Sequence, residues 1–223
     1  IRLASRVAVI LASSMMSLMY EAACVLASSF KDSTKRSFAS SADKPEMVVI
    51  NKIDENKIPH ADVVIGGPPC QSFSLAGNRH VEDARGQLVW RYIKIISTIQ
   101  PKAFVFENVT GLLSAKNSNG EKILSLLQAA FKDIGYTIST KVVNAADYGI
   151  PQKRKRVLIV GLKNNKEFEF PVPTHNEKGI DGLKKYVSVQ EALGDLPQAI
   201  EDENSILNYK TAPVSDYQKK IRS

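Results

Sequence analysis

Cys70, Glu107, Arg154 and Arg156 are the residues of this chain whose types and placement could do chemistry. Cys70 follows Gly66-Gly67-Pro68-Pro69 at the end of a short β-branched run, residues 63–65. Such a run, stopped by two glycines and two prolines, reads as a buried strand breaking into a loop. The ends of strands in open α/β sheets are where ligands bind, so a thiol there is placed like a nucleophile. A free cysteine can equally fill buried space, and position alone leaves both readings open.

Glu107 reaches the same edge. Residues 103–106 form a second apolar run that delivers Glu107-Asn108-Val109 at its carboxyl end. A strand ending in glutamate is common in itself. Downstream, Gly149-Ile150-Pro151-Gln152-Lys153-Arg154-Lys155-Arg156 runs directly into the apolar strand 157–160. Strand side chains alternate faces, so Arg154 and Arg156 are expected on one side and Lys153 and Lys155 on the other. The alternative for such a cluster is a solvated basic run or a localisation signal.

The elements that position these residues alternate along the chain. Residues 47–50 and 62–65 read as strands. A helix is predicted from residue 86, where Leu88, Tyr92, Ile95, Ile96 and Ile99 repeat at helical spacing before Pro101. Ile123, Leu126, Leu127, Ala130, Phe131 and Ile134 mark a second helix, with Gly135 as its stop. Segments 137–144 and 157–162 read as a closing pair of strands joined by the arginine segment. This order predicts an α/β fold, a mainly parallel sheet with helices on both faces. The uncharged stretch 7–20 follows Arg2 and Arg6 and has the look of a signal-peptide core. Glu21 interrupts it before the roughly 20 apolar residues a bilayer requires, which favours a buried strand followed by a helix and no membrane. Residues 31–45 are serine-rich and read as a loop, and the prolines from Pro171 mark a boundary beyond which periodicity is weak.

A chain of 223 residues, 43% hydrophobic and 24% charged, suits one globular α/β domain with an appendage. Its net charge of +7 favours a polyanionic partner, although a modest lysine excess is ordinary for soluble proteins. Two cysteines, Cys24 and Cys70, make neither a disulfide framework nor a metal-ligand spacing. That points to a reducing compartment, the cytoplasm, and to no structural zinc.

With Pro69-Cys70-Gln71, Glu107-Asn108-Val109 and Gln152-Lys153-Arg154-Lys155-Arg156 in this order, the chain resembles the DNA (cytosine-5) methyltransferases. Arg85-Gly86-Gln87-Leu88, Pro171-Val172-Pro173-Thr174-His175 and Val189-Gln190-Glu191-Ala192-Leu193-Gly194-Asp195-Leu196-Pro197 add to a likeness covering residues 48–200. The resemblance implies a Rossmann-like S-adenosylmethionine-dependent methyltransferase fold, truncated. Its catalytic domain would be 47–175, after a divergent segment 1–46 and before the start of a truncated target-recognition region, 176–223. It also implies that the chain is a monomer acting on a flipped cytosine of double-stranded DNA, in restriction-modification with a cognate restriction endonuclease. A tRNA cytosine-5 methyltransferase shares the motifs, and a catalytically dead DNA-binding paralogue is a further alternative.

The family's chemistry assigns roles. The Cys70 thiolate would add to C6 of cytosine and make C5 enamine-like. At an ordinary pKa of about 8.5 few such thiols are ionised, so a nearby cation such as Arg154 or Arg156 should help. Glu107 would hold and protonate N3, the two arginines would hold O2 and a nearby phosphate, and the Pro69 carbonyl would accept from N4. Gln71, Ser72 and Ser74 would contact the opened strand, with Asn108 and Gln152 also on the substrate side. Gly66, Gly67 and Pro68 would allow close approach of cofactor or base. The family holds S-adenosylmethionine with a glycine-rich loop after its first strand and acidic residues after the next two. Residues 1–65 contain no glycine, and Val48 and Val49 stand where a Gly-Asp pair is expected, so this cofactor site is expected to be incomplete and weak.

Overall fold

A computed structural model describes residues 7–11, 46–49, 61–68, 84–117, 119–163, 165–197 and 211–222. The chain divides into two compact units, Ile1–Val143 with Arg156–Pro171, and Asn144–Lys155 with Val172–Ser223.

The first unit is built on a six-stranded sheet. Its strands are β1 (Val7–Leu11), β2 (Glu46–Val49), β3 (Val63–Gly66), β4 (Ala103–Asn108), β5 (Thr137–Asn144) and β6 (Lys155–Leu162), in spatial order β2-β1-β3-β4-β6-β5. The end residues Asn144 and Lys155 are grouped with the second unit. Pairing is parallel from β2 through β4 and antiparallel between β4 and β6. The α/β architecture and the mainly parallel sheet match expectation. β4 runs two residues beyond its apolar core because the ladder to β6 continues through Glu107↔Leu158 and Asn108↔Val157. The polar side chains that end the hydrophobic pattern are therefore still in the strand.

Alternation sorts the sheet into two packed faces. Val64, Phe104, Phe106, Val157 and Ile159 face one cluster, which also holds Val89, Tyr92, Ile96, Leu127 and Phe131. These last five lie on two helices, α1 (Ala84–Ile99) and α2 (Ile123–Asp133). Val63, Ile65, Ala103, Val105, Val160 and Leu162 face the other side, where Leu158, Phe168 and Phe170 pack. Among the described residues both long helices thus cover one face. The helix expected after the first strand lies outside the described residues. Tyr92 is fully buried between sheet and α2, and its hydroxyl donates to the Val105 carbonyl at 2.9 Å. Burial pushes its phenol well above the ordinary range, so it stays a neutral donor. Gly135 takes the left-handed conformation (φ 91°) that ends α2, as its position predicts.

The second unit contains a short 3₁₀ turn (Ala145–Tyr148), the strand pair β7 (His175–Asn176) and β8 (Lys184–Lys185), and two short helices, α3 (Val189–Leu193) and α4 (Asp216–Arg222). Ser188 and Glu191 form a capping box at the start of α3, each side chain bonding the other's backbone N–H. Arg222 grips the buried Asp195 through two bonds, Nε to Oδ2 at 3.1 Å and a terminal nitrogen to Oδ1 at 3.0 Å. A stretch without hydrophobic period is thus held by polar contacts. Among the described residues no helix is long and apolar enough to cross a membrane.

Candidate active site

Glu107 is placed by its register. β3 and β4 are parallel with Gly66 opposite Phe106, so the chain leaving β3 toward Cys70 passes beside Glu107. β6 runs the other way, with Leu158 opposite Glu107, so Arg156 at its amino end lies diagonally across from the carboxylate on the same face. Arg156 Nε stands 2.8 Å from Glu107 Oε1, with the side chains 17% and 9% exposed. The N–H is not aimed at that oxygen as a hydrogen bond, and the contact is a close ion pair. Pairing is what makes burial of either charge tolerable.

The strand-end residues around this pair are tightly arranged. A Cβ built on Gly67 would lie 2.8 Å from Glu107 Oε2 and 3.5 Å from the Glu107 carbonyl. Asn108, buried beside it, donates through Nδ2 to the Pro68 carbonyl at 3.1 Å and accepts through Oδ1 from the Val109 N–H at 2.9 Å. Its amide therefore ties the exit of β3 to the end of β4. Pro69, Cys70, Gln71, Ser72 and Ser74 lie outside the described residues.

The arginine segment belongs to two units. β6 begins at Lys155, so the strand pleat orders Lys155 and Arg156 but does not reach Arg154. Arg154 is placed instead by the preceding loop, whose Ala145 N–H donates to its carbonyl at 2.9 Å. Even so, exposure alternates: Lys153 and Lys155 are exposed, while Arg154 and Arg156 are half-buried. Gln152 is exposed, its N–H closing a tight turn onto the Ile150 carbonyl at 2.7 Å.

That loop has anchors which sequence reasoning did not single out. The Asp147 carboxylate accepts from the Tyr186 hydroxyl at 2.5 Å and from Asn144 Nδ2 at 3.0 Å, and its carbonyl accepts from the Thr174 N–H. The hydrogen bond to Asp147 is the main reason the Tyr186 phenol is raised. Gly149 turns the loop at φ 85°, and a Cβ there would sit 2.7 Å from His175 Cε1. Burial, then the charge of Lys184, holds the His175 imidazole below its ordinary range. Gly149, Thr174 and His175 stood in segments the sequence singles out, whereas Asp147 and Tyr186 did not. No spacing rule links Asp147 to Tyr186.

Comparison with known proteins converges on one family. The model of the C-5 cytosine-specific DNA methylases matches residues 11–223. The chain is 38% identical over 162 residues to the Type II methyltransferase M.DdeI of Desulfomicrobium norvegicum, covering 72% of this chain and 39% of that protein. It is 45% identical over 152 residues to the Type II methyltransferase M.AquIA of a Picosynechococcus species, covering 62% and 61% respectively. The chain thus spans less than two thirds of the length of these relatives. Among solved structures, it is similar to a DNA modification methyltransferase described as encoded within an E. coli prophage. That match has a TM-score of 0.56 and 27% identity, over 79% of this chain and 51% of that one. The Entamoeba histolytica methyltransferase EhMeth shares the fold at a TM-score of 0.54 and 14% identity, over 91% and 63% of the two chains.

Proposed function

The chain belongs to the C-5 cytosine-specific DNA methylase family, and from that premise we propose that it serves to methylate C5 of a flipped cytosine in double-stranded DNA. The setting is bacterial-type restriction-modification, in the cytoplasm and as a monomer, beside a cognate endonuclease. Residues 47–175 carry the chemistry, and 176–223 begin the region that reads the target. The observation that carries this reading is the Glu107–Arg156 pair, buried at the carboxyl end of β4 beside the strand that leads into Pro69-Cys70-Gln71.

The chemistry follows from these groups. Glu107, a carboxylate in its pair with Arg156, must first take up a proton from solvent; as the Cys70 Sγ–C6 bond forms, the C5=C6 electrons move into the ring and N3 takes that proton from the Glu107 carboxyl. Arg156 stabilises the carboxylate that this leaves, in a site with little water to do so. C5 is then nucleophilic. Without a methyl donor a proton from water bonds to C5 and the original C5 hydrogen leaves to water; the Cys70–C6 bond then breaks, the C5=C6 bond is restored and N3 returns its proton to Glu107. Asn108 supports the geometry by holding the Pro68 carbonyl.

The methyl donor implied by the family is S-adenosylmethionine. The segments that follow β1 and β2, where the family's cradle would stand, lie outside the described residues, and the space at Gly67 is taken by the Glu107 carboxylate. No step above runs through the donor.

This independence supplies the test. Reversible addition at C6 makes the C5 hydrogen exchangeable with water, so the chain should release tritium from duplex DNA labelled at C5 of cytosine without added cofactor. Cys70→Ala should abolish release. Release by the alanine variant would overturn the thiolate role, and release from labelled tRNA but not from duplex DNA would reassign the substrate.

A further inference from the structure

We infer that Gly67 is a positioning residue for Glu107, present because its missing side chain leaves the space the carboxylate occupies. The inference concerns the site proposed above and rests on that reading only for its catalytic consequence.

Glycines at strand ends commonly serve a turn, and here that explanation fails. Gly67 is not among the glycines with positive φ, so its backbone is one that any residue can adopt. What only glycine allows is the approach of its neighbour. A Cβ would stand 2.8 Å from Glu107 Oε2, closer than real Cβ atoms come to any heavy atom. An exposed glutamate would swing aside at little cost. This one is buried, with its other oxygen 2.8 Å from Arg156.

The peptide itself is also hard to displace. The adjoining Pro68 carbonyl is held by Asn108 Nδ2, and Gly66 is in the β3–β4 ladder opposite Phe106. The backbone is thus fastened on both sides of the contact. An alanine at 67 must be accommodated by turning the carboxylate off Arg156 and away from the path of the chain toward Cys70. Catalytic geometry is sensitive to such shifts, since a misplacement of about 1 Å can cost on the order of a hundredfold in rate.

The experiment is a double-mutant cycle on the whole chain, read by unfolding midpoint. Gly67→Ala should lower the midpoint in the native background and leave it unchanged in a Glu107→Ala background, where the atom in its way is gone. If Gly67→Ala alone does not fold, recovery of folding in the double variant gives the same answer. An equal loss in both backgrounds, failure of the double variant to fold while Glu107→Ala folds, or no loss in either background would overturn the inference.

A second readout separates positioning from general damage. Gly67→Ala should slow cofactor-free tritium release at least tenfold while duplex affinity, measured by fluorescence anisotropy, stays within twofold. Parallel losses of rate and affinity would overturn a positioning role. If the unsubstituted chain releases no tritium, the catalytic reading fails, and the unfolding cycle still decides whether Gly67 sets the carboxylate.

Discussion

Arg156 meets Glu107 at 2.8 Å with side chains 17% and 9% exposed, whereas Lys153, from the same basic run, meets Glu177 at 2.6 Å with side chains 67% and 72% exposed. The shorter contact is the weaker one. Water and salt screen the exposed pair, and holding two long side chains together costs entropy that offsets the attraction. In the buried pair, loss of one partner leaves the other charge stranded in a poorly hydrated place. Environment, and not distance, ranks these pairs. Lysine and arginine also differ in kind, because a guanidinium can face a carboxylate and still present further N–H groups to a substrate.

The largest effect that would break this comparison is at Arg156. Arg156→Met should cost about 3 kcal/mol of stability by denaturant unfolding and eliminate cofactor-free tritium release, whereas Lys153→Met should leave both unchanged within error. Equal losses at the two positions would return the segment to a solvated basic run.

Asp195 and Arg222 sharpen the comparison by separating burial from catalysis. Their side chains are 1% and 16% exposed and share two hydrogen bonds, in a place with no proposed chemistry. Arg222→Met should cost about 2 to 3 kcal/mol in denaturant unfolding, since it strands a buried carboxylate. A loss as small as that at Lys153 would show that burial does not rank these pairs.

The smallest effect is at His175. Its imidazole lies below the ordinary range through burial and then Lys184, so the folded chain favours the neutral ring. The resulting contribution to stability is present above the ordinary value of about 6.5 and is lost as pH falls from there through the lower folded value. The ring is only half-buried, so the effect is slight. An NMR titration should place the His175 midpoint below the ordinary histidine value, and Lys184→Gln should raise it part of the way. A midpoint at or above the ordinary value contradicts this.

Much of the first unit was legible because its elements repeat a hydrophobic period. Tyr92, Ile95, Ile96 and Ile99 announce α1, and Leu127 and Phe131 announce α2. The second unit was not legible in that way, since its helices are one or two turns long and are held by caps and ion pairs. Ser188 and Glu191 are the exception. Their three-residue spacing before an apolar residue is a readable capping signature. Asp147 and Tyr186, 39 residues apart, carry no signal of their meeting.

The sequence by itself determined which residue types stand at the strand ends, because runs such as Ala103–Phe106 must be buried and the polar residues that stop them are left at the edge. It also determined the family, through three motifs in one order. Only the tertiary structure decided that Arg156, and not merely some cation, faces Glu107. That required β6 to enter the sheet antiparallel beside β4, a register set by long-range hydrogen bonds that no local pattern encodes. It likewise decided what Gly67 is for. A glycine's space is defined by what fills it, and the carboxylate that does so, Glu107, lies 40 residues further along the chain on a neighbouring strand.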